Sequence, residues 1–98
     1  MSARVGFHPG AKREMREAAD FYGLERSGLG TEFLDAIEGA MQRVIEHPES
    51  APIVLGQVRR CAVSRFPYAV VYSTRSGGIF VSAIAHSSRR PFYWQDRL

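Results

Sequence analysis

The sequence lacks most features of secreted, membrane and metal-binding proteins. Its one cysteine, Cys61, cannot form a disulfide within the chain, which fits a reducing compartment. No apolar run is long enough to span a bilayer, and the N-terminus has no signal-peptide core. His8 and His47 have no histidine or cysteine neighbours at ligand spacing, and no glycine-rich phosphate loop is present. We therefore expect a cytoplasmic protein with no membrane contact, no metal and no cofactor.

The second half of the chain also lacks negative charge. Residues 50–98 contain seven arginines, no lysine and one acidic residue, Asp96, for a net charge of +6. Residues 1–49 carry six basic and nine acidic side chains, for a net charge of −3. A segregated basic half predicts an anionic partner, and arginine binds phosphate and carboxylate groups bidentately. We interpret the acidic residues of the first half as solvated helix faces.

The first half predicts one strand and two helices. Residues 3–8 alternate weakly and indicate a strand, which Pro9-Gly10 ends. Helical spacing of apolar residues then predicts a helix from Ala11 to about Arg26. A second amphipathic helix follows, with Thr31 as its expected N-cap and Pro48 just beyond its end. The short connection predicts that the two helices form an antiparallel hairpin.

The second half predicts strands, because its apolar pattern changes to a period of two. Residues 48–56 are expected to form a loop. Strands are predicted over 58–63, 68–73 and 79–85, and Gly77-Gly78 is expected to turn the last two into a hairpin.

These elements predict a single α+β domain over residues 1–98. Its N-terminal strand and two-helix hairpin precede a three-stranded antiparallel meander, in two layers. Tyr68, Val70 and Tyr72 share one face of the middle strand. The helices are expected to cover one face of the sheet, and the arginines and tyrosines are the residues available to line the other.

Several phrases of the sequence resemble the RelE/ParE superfamily, the toxins of bacterial type II toxin–antitoxin modules. Arg59-Arg60 precedes a strand that starts with Phe66, Pro67 and Tyr68, and the chain ends with an A-H-x-x-R-x-P-x-Y-W pattern from Ala85 to Trp94. The resemblance covers essentially the whole chain. The FPYAVVY and AHSSRRPFYW phrases are more similar to the ParE branch.

The resemblance implies a toxin that a cognate antitoxin neutralises. Such antitoxins wrap the toxin with an acidic segment and bind operator DNA through their own N-terminal part. ParE-like members poison DNA gyrase, whereas RelE-like members are endoribonucleases that cut mRNA on the ribosome. Inhibition of gyrase without catalysis is the prediction. The alternatives are a metal-independent mRNA endoribonuclease and an inactive member that only binds its antitoxin.

The candidate site residues all lie in the basic half. The predicted target- or partner-binding residues are Arg59, Arg60, Arg65, His86, Arg89, Arg90, Tyr93, Trp94 and Arg97. A nuclease would use His86, Arg89 and Tyr93 for acid–base chemistry and charge stabilisation, although this half offers no lysine and no carboxylate base before Asp96. Structural roles compete with each assignment: His86 as a strand-end histidine bonded to backbone, the arginines in salt bridges with the helices, and Trp94 capping the core under them.

Overall fold

A computed structural model describes residues 4–98, and its sheet is larger than the sequence predicts. The elements are β1 (Arg4–Phe7), α1 (Pro9–Glu25), α2 (Leu29–Glu46), β2 (Ile53–Leu55), β3 (Val58–Ala62), β4 (Tyr68–Arg75), β5 (Gly78–His86) and a short 3₁₀ helix (Gln95–Arg97). The strands form one sheet in the order β1-β5-β4-β3-β2. β1 runs parallel to β5, and every other neighbouring pair is antiparallel. The predicted α+β class and the β3–β5 meander are confirmed, and β1 and β2 extend the sheet on its two sides.

The junction between β1 and α1 explains why the first helix starts earlier than predicted. The predicted strand began at Ala3, which lies outside the described residues, and β1 ends at Phe7. His8 caps α1, because its Nδ1 atom accepts a hydrogen bond of 2.9 Å from the backbone N–H of Gly10. Pro9 then occupies the first helical position, where its missing N–H costs nothing and its fixed φ suits the helix.

The expected N-cap of α2 is wrong. The helix begins at Leu29, and Gly28 with a φ of 86° is its N-cap, so Thr31 already lies inside the first turn. Glycine adopts this left-handed conformation without steric cost, which lets the chain reverse in fewer residues than predicted. The helix ends at Glu46, before Pro48, as the sequence predicts. Among residues 4–98, no helix is long and apolar enough to cross a membrane.

The loop predicted over residues 48–56 contains a strand. β2 has three residues, Ile53–Leu55, and pairs with β3 at the edge of the sheet. Its apolar run is too short to show a period, and Pro52 precedes it directly. Proline is tolerated directly before an edge strand, so the prediction of a loop was wrong for residues 53–55 only.

The helices cover the sheet face that carries the tyrosines of β4. Tyr68, Val70 and Tyr72 pack in the core beneath α1 and α2, together with Phe33 and Ile37. The hydroxyl of Tyr72 donates a 2.7 Å hydrogen bond to the carbonyl of Pro48. Their common face was predicted correctly, but the expectation that tyrosines line the uncovered face is wrong for this strand. Large aromatic rings contribute most where they are buried against the helices.

A β-bulge at Ser82 changes which residues of β5 face the helices. Val71 pairs with Ala83 and Tyr72 pairs with Val81, so Ser82 is the extra residue of β5. Before the bulge the odd-numbered residues, including Val81, pack in the core under the helices, and after it Ile84 does so. The extra residue shifts the alternation by one position, as bulges do.

The other face of the sheet has a smaller apolar core. Val58, Val71, Ala83 and Ala85 are buried there with Trp94, which is 5% exposed. Trp94 belongs to residues 87–98, which follow β5 and are here called the C-terminal segment. Trp94 is buried, but the expectation that it caps the core under the helices is wrong, because it packs on the face away from them. The C-terminal segment thus forms part of a covering on the second face.

Candidate binding groove

The C-terminal segment is held against the sheet by one carboxylate on α1. Glu14 accepts hydrogen bonds from the hydroxyl of Tyr93 at 2.8 Å and from Arg97 at 3.0 and 3.1 Å. It also accepts one from the backbone N–H of Ile84 at 3.0 Å. The side chains of Glu14 and Arg97 are only 10% and 12% exposed. The interpretation of all the acidic residues as solvated helix faces is therefore wrong for Glu14.

This contact lies on the side of β5 that faces β1, beyond the point where the two strands stop pairing. β1 pairs with β5 only as far as Val81. Beyond it, Glu14 accepts from the N–H of Ile84, and Arg97 donates to the carbonyl of Ser82 at 3.1 Å. Buried backbone groups need partners, and here two side chains supply those that another strand would give. The ion pair thus satisfies these backbone groups of β5 and also anchors the C-terminal segment to α1 and β5.

Two of the predicted site residues are engaged in this contact. Arg97 lies in the interior, paired with Glu14, and not on the basic surface where the sequence placed it. Tyr93 donates its hydroxyl proton to Glu14. Burial and this hydrogen bond raise the pKa of Tyr93 well above its usual range. In this arrangement Tyr93 is a poor proton donor for catalysis, because its proton is held by a carboxylate.

His86 is held by the backbone that follows β5. Its Nδ1 atom accepts hydrogen bonds from the backbone N–H of Ser88 at 3.0 Å and lies 2.8 Å from the Ser88 hydroxyl. The backbone bond places the proton of the neutral ring on Nε2. The ring also contacts Tyr68 edge-on, with 5.0 Å between ring centroids. The structural alternative for His86, a strand-end histidine bonded to backbone, is confirmed.

Two of the predicted arginines bind other parts of the chain. Arg59 donates to the carbonyls of Glu49 and Ala51, both at 2.8 Å, and so holds the loop before β2. Arg65 forms an exposed salt bridge of 2.9 Å with Glu32 on α2. The hydrogen bond from Arg65 is the largest of the effects that lower the pKa of Glu32. The salt-bridge alternative therefore holds for Arg65, whereas Arg59 binds backbone.

The remaining three arginines surround one open groove. It measures about 330 Å³ and lies beside the C-terminal segment. We call it the arginine groove. Its lining residues are Val54, Arg60, Ala85, His86, Ser87, Arg89, Arg90, Pro91, Phe92, Tyr93 and Trp94. None of these lining residues is acidic, so every formal charge that lines the groove is positive.

The three arginines of the groove differ in how firmly they are held. Arg89 stacks over the ring of Tyr93 at 3.8 Å and lies 3.9 Å from Glu14. Arg60 and Arg90 have no hydrogen-bond or ion-pair partner for their guanidinium groups among residues 4–98. The structure thus brings Arg60, Arg89, Arg90 and His86 together with Trp94 and Tyr93, and leaves Arg59, Arg65 and Arg97 elsewhere. Two free guanidinium groups on one groove suit an anionic ligand.

Sequence reasoning missed two features of this region. Val54 lines the groove from β2, the strand that the sequence analysis assigned to a loop. Glu14 was not recognised as part of this region, because it was assigned to a polar helix face. Its spacing contained a signal, since it lies three residues after Ala11 and four before Ala18, which are both buried. A carboxylate within an apolar stripe indicates a buried partner.

Within the described part of the chain, no group of three or more histidine, cysteine, aspartate or glutamate residues is placed to hold a metal ion. What the groove offers is charge, apolar surface and hydrogen-bond donors. It is therefore equipped for binding an anion.

A comparison with solved structures identifies the fold. The structure is similar to a chain of the chromosomal ParDE toxin–antitoxin system from P. aeruginosa, with a TM-score of 0.72 and 13% sequence identity over 87% of this chain and 96% of that one. At that identity the likeness establishes the fold. Among curated proteins, none matches the chain significantly.

The family follows from a family model. The model described as the ParE toxin of the type II toxin–antitoxin system parDE matches residues 5–91. The chain belongs to the ParE toxin family. This confirms the predicted superfamily and the predicted branch.

Proposed function

We propose that this toxin acts by binding DNA gyrase, and that it does not cut RNA. The observation that carries the proposal is the contrast within the arginine groove. His86 and Tyr93, the acid–base candidates of a nuclease, are bound to Ser88 and Glu14. Arg60 and Arg90 are left without partners among the described residues. Binding of an anionic partner needs free cations, whereas acid–base catalysis needs groups that can exchange a proton. Glu14 holds the proton of Tyr93, and the bond from Ser88 leaves only Nε2 of His86 open.

We further propose that a cognate antitoxin covers two surfaces of the toxin. The basic second half suits an acidic antitoxin segment, which would pair with the free arginines. The helices offer apolar contacts as well, because Phe21 and Leu24 on α1 are 56% and 90% exposed and Leu34 on α2 is exposed. We expect apolar side chains of the antitoxin to cover them. Operator DNA would be bound only through the antitoxin, in the cytoplasm.

A ribosome-dependent endoribonuclease is the second candidate. One observation favours it: His86 and Arg89 line the same groove as the free arginines. In that case His86 would use Nε2, and the arginines would neutralise the scissile phosphate. A family member that only binds its antitoxin is the third, and it would have neither activity.

Two parallel assays separate these candidates. Purified toxin is added to gyrase with supercoiled plasmid, and separately to translating ribosomes with a defined mRNA. The proposal expects gyrase-dependent DNA cleavage complexes and an intact mRNA. Cuts in the mRNA at codon spacing, with gyrase unaffected, would contradict it. Absence of both effects, with retained binding to the product of the neighbouring gene, would support the inactive candidate.

A further inference from the structure

The rim of the arginine groove carries an exposed aromatic ring on strained backbone. Phe92 has a φ of 61°, in the left-handed region that non-glycine residues rarely occupy. Such a conformation is strained and persists only where the surrounding structure enforces it. Phe92 is 44% exposed, and its ring meets Trp94 edge-to-face, with 5.8 Å between centroids. The backbone therefore holds a flat apolar face at the groove, when burial in the core would be the ordinary outcome.

The cations and the ring occupy one site. Arg60 lies on β3, and Arg90 lies two residues before Phe92 in the C-terminal segment. All three line the same groove, and no acidic residue among the described residues lines it with them. Guanidinium groups bind phosphate oxygens bidentately, and an exposed aromatic ring stacks on a nucleobase. The chemistry of the groove thus matches both parts of a nucleotide.

The groove distinguishes between possible anions. A DNA or RNA duplex presents phosphates but keeps its bases stacked inside, so it would leave Phe92 unused. An acidic peptide would satisfy Arg60 and Arg90 but would supply no planar group for the ring. A single strand supplies both phosphates and accessible bases. A volume of about 330 Å³ is at the small end of ligand sites and suits one or two nucleotide units.

We propose that the arginine groove binds a single-stranded nucleic acid segment, with phosphates on Arg60 and Arg90 and a base stacked on Phe92. This binding is independent of gyrase and of the ribosome. Its failure would leave the proposed gyrase target untouched, because the test contains neither partner.

The test measures how dye-labelled oligonucleotides of about 12 nucleotides bind the toxin, by fluorescence anisotropy at several salt concentrations. The probes are oligo(dT), oligo(rU), an abasic oligonucleotide of equal length, a duplex, and a poly-glutamate peptide. We expect the single strands to bind more tightly than the abasic strand, the duplex and the peptide. The DNA and RNA arms identify which single strand is preferred. Quenching of Trp94, the one tryptophan of the chain, locates the bound strand at the groove.

Matched variants separate the contributions of charge and stacking. The double change Arg60→Gln/Arg90→Gln should reduce the slope of log affinity against log salt by about 1.4, because single strands contribute about 0.7 per phosphate contact. Arg75→Gln is its control, since Arg75 is exposed at the far end of the β4–β5 hairpin. Phe92→Leu should weaken binding by about tenfold, the size of one lost stacking contact. Phe21→Leu, at an exposed phenylalanine on α1, should leave binding unchanged.

Circular dichroism spectra that match the wild type show that each variant is folded. The proposal is overturned if the duplex or the peptide binds as tightly as the single strands. It is also overturned if Phe92→Leu and Phe21→Leu have equal effects, or if the double arginine variant keeps the wild-type salt slope.

Discussion

Glu14 on the first helix and Arg97 near the end of the chain form a largely buried ion pair, although 83 residues separate them in sequence. Two hydrogen bonds of 3.0 and 3.1 Å join them. The same pair binds the N–H of Ile84 and the carbonyl of Ser82, on the side of β5 where its pairing with β1 has ended. The C-terminal segment and the arginine groove therefore depend on a residue at the other end of the fold.

Removing the charge of Glu14 should strongly destabilise the protein. Glu14→Gln leaves the guanidinium of Arg97 buried without its counter-ion, and breaking a buried pair costs about 3–5 kcal/mol. Urea denaturation should show a loss in the free energy of unfolding near this range. The control is Glu17→Gln on the exposed face of α1, which should change stability by less than about 0.5 kcal/mol. Equal effects of the two changes would show that the pair does not hold the fold.

The same contact should make stability depend on alkaline pH. Burial and the bond to Glu14 raise the pKa of Tyr93 in the folded protein. A raised pKa means that the stability from this group is complete below about pH 10, the unfolded value, and is lost as pH rises towards the folded value. Tyr93→Phe lacks both the bond and its titration. Its deficit in unfolding free energy, measured with urea, should therefore be largest at pH 8 and shrink above pH 10. A deficit that stays constant with pH would contradict this account.

Close packing of the two helices should make Gly30 intolerant of a side chain. A Cβ atom at Gly30 would lie 2.5 Å from the carbonyl oxygen of Ala19 on α1. Backbone must move to admit it, so Gly30→Ala should lower the free energy of unfolding by about 1–3 kcal/mol. Gly39→Ala on the same helix is the control, since its nearest neighbour is the tip of Arg43 at 4.0 Å. That change should stabilise by about 0.5–1 kcal/mol, because alanine suits a helix better than glycine. Thermal unfolding of both variants checks the opposite signs.

The apolar periodicity of the sequence predicted both helices and the three strands of the meander. The strands β3, β4 and β5 follow from a period of two, and both helices from a period near 3.6. The parallel pairing of β1 with β5 was not predicted, because no feature of residues 4–7 specifies their partner. The bulge at Ser82 was also not predicted, since one extra residue leaves the apolar character of β5 unchanged.

The site was predicted only in part for a similar reason. Composition identified the basic half, and Arg60, Arg89 and Arg90 do meet in one groove. Which arginines remain free depends on partners far away in sequence, such as Glu32 for Arg65 and Glu14 for Arg97. Those pairings come from the tertiary fold, and sequence spacing does not contain them.

The central claim is that the arginine groove acts by binding, with no catalysis by His86. It is tested most directly by gyrase-dependent cleavage of supercoiled plasmid with two variants of the toxin. His86→Ala should retain the cleavage complexes formed by the wild type, because the account gives this side chain no chemical step. Arg60→Glu/Arg90→Glu should lose them, because the free cations of the groove are reversed in charge. Loss of activity in His86→Ala, with full activity in the double arginine variant, would contradict the account.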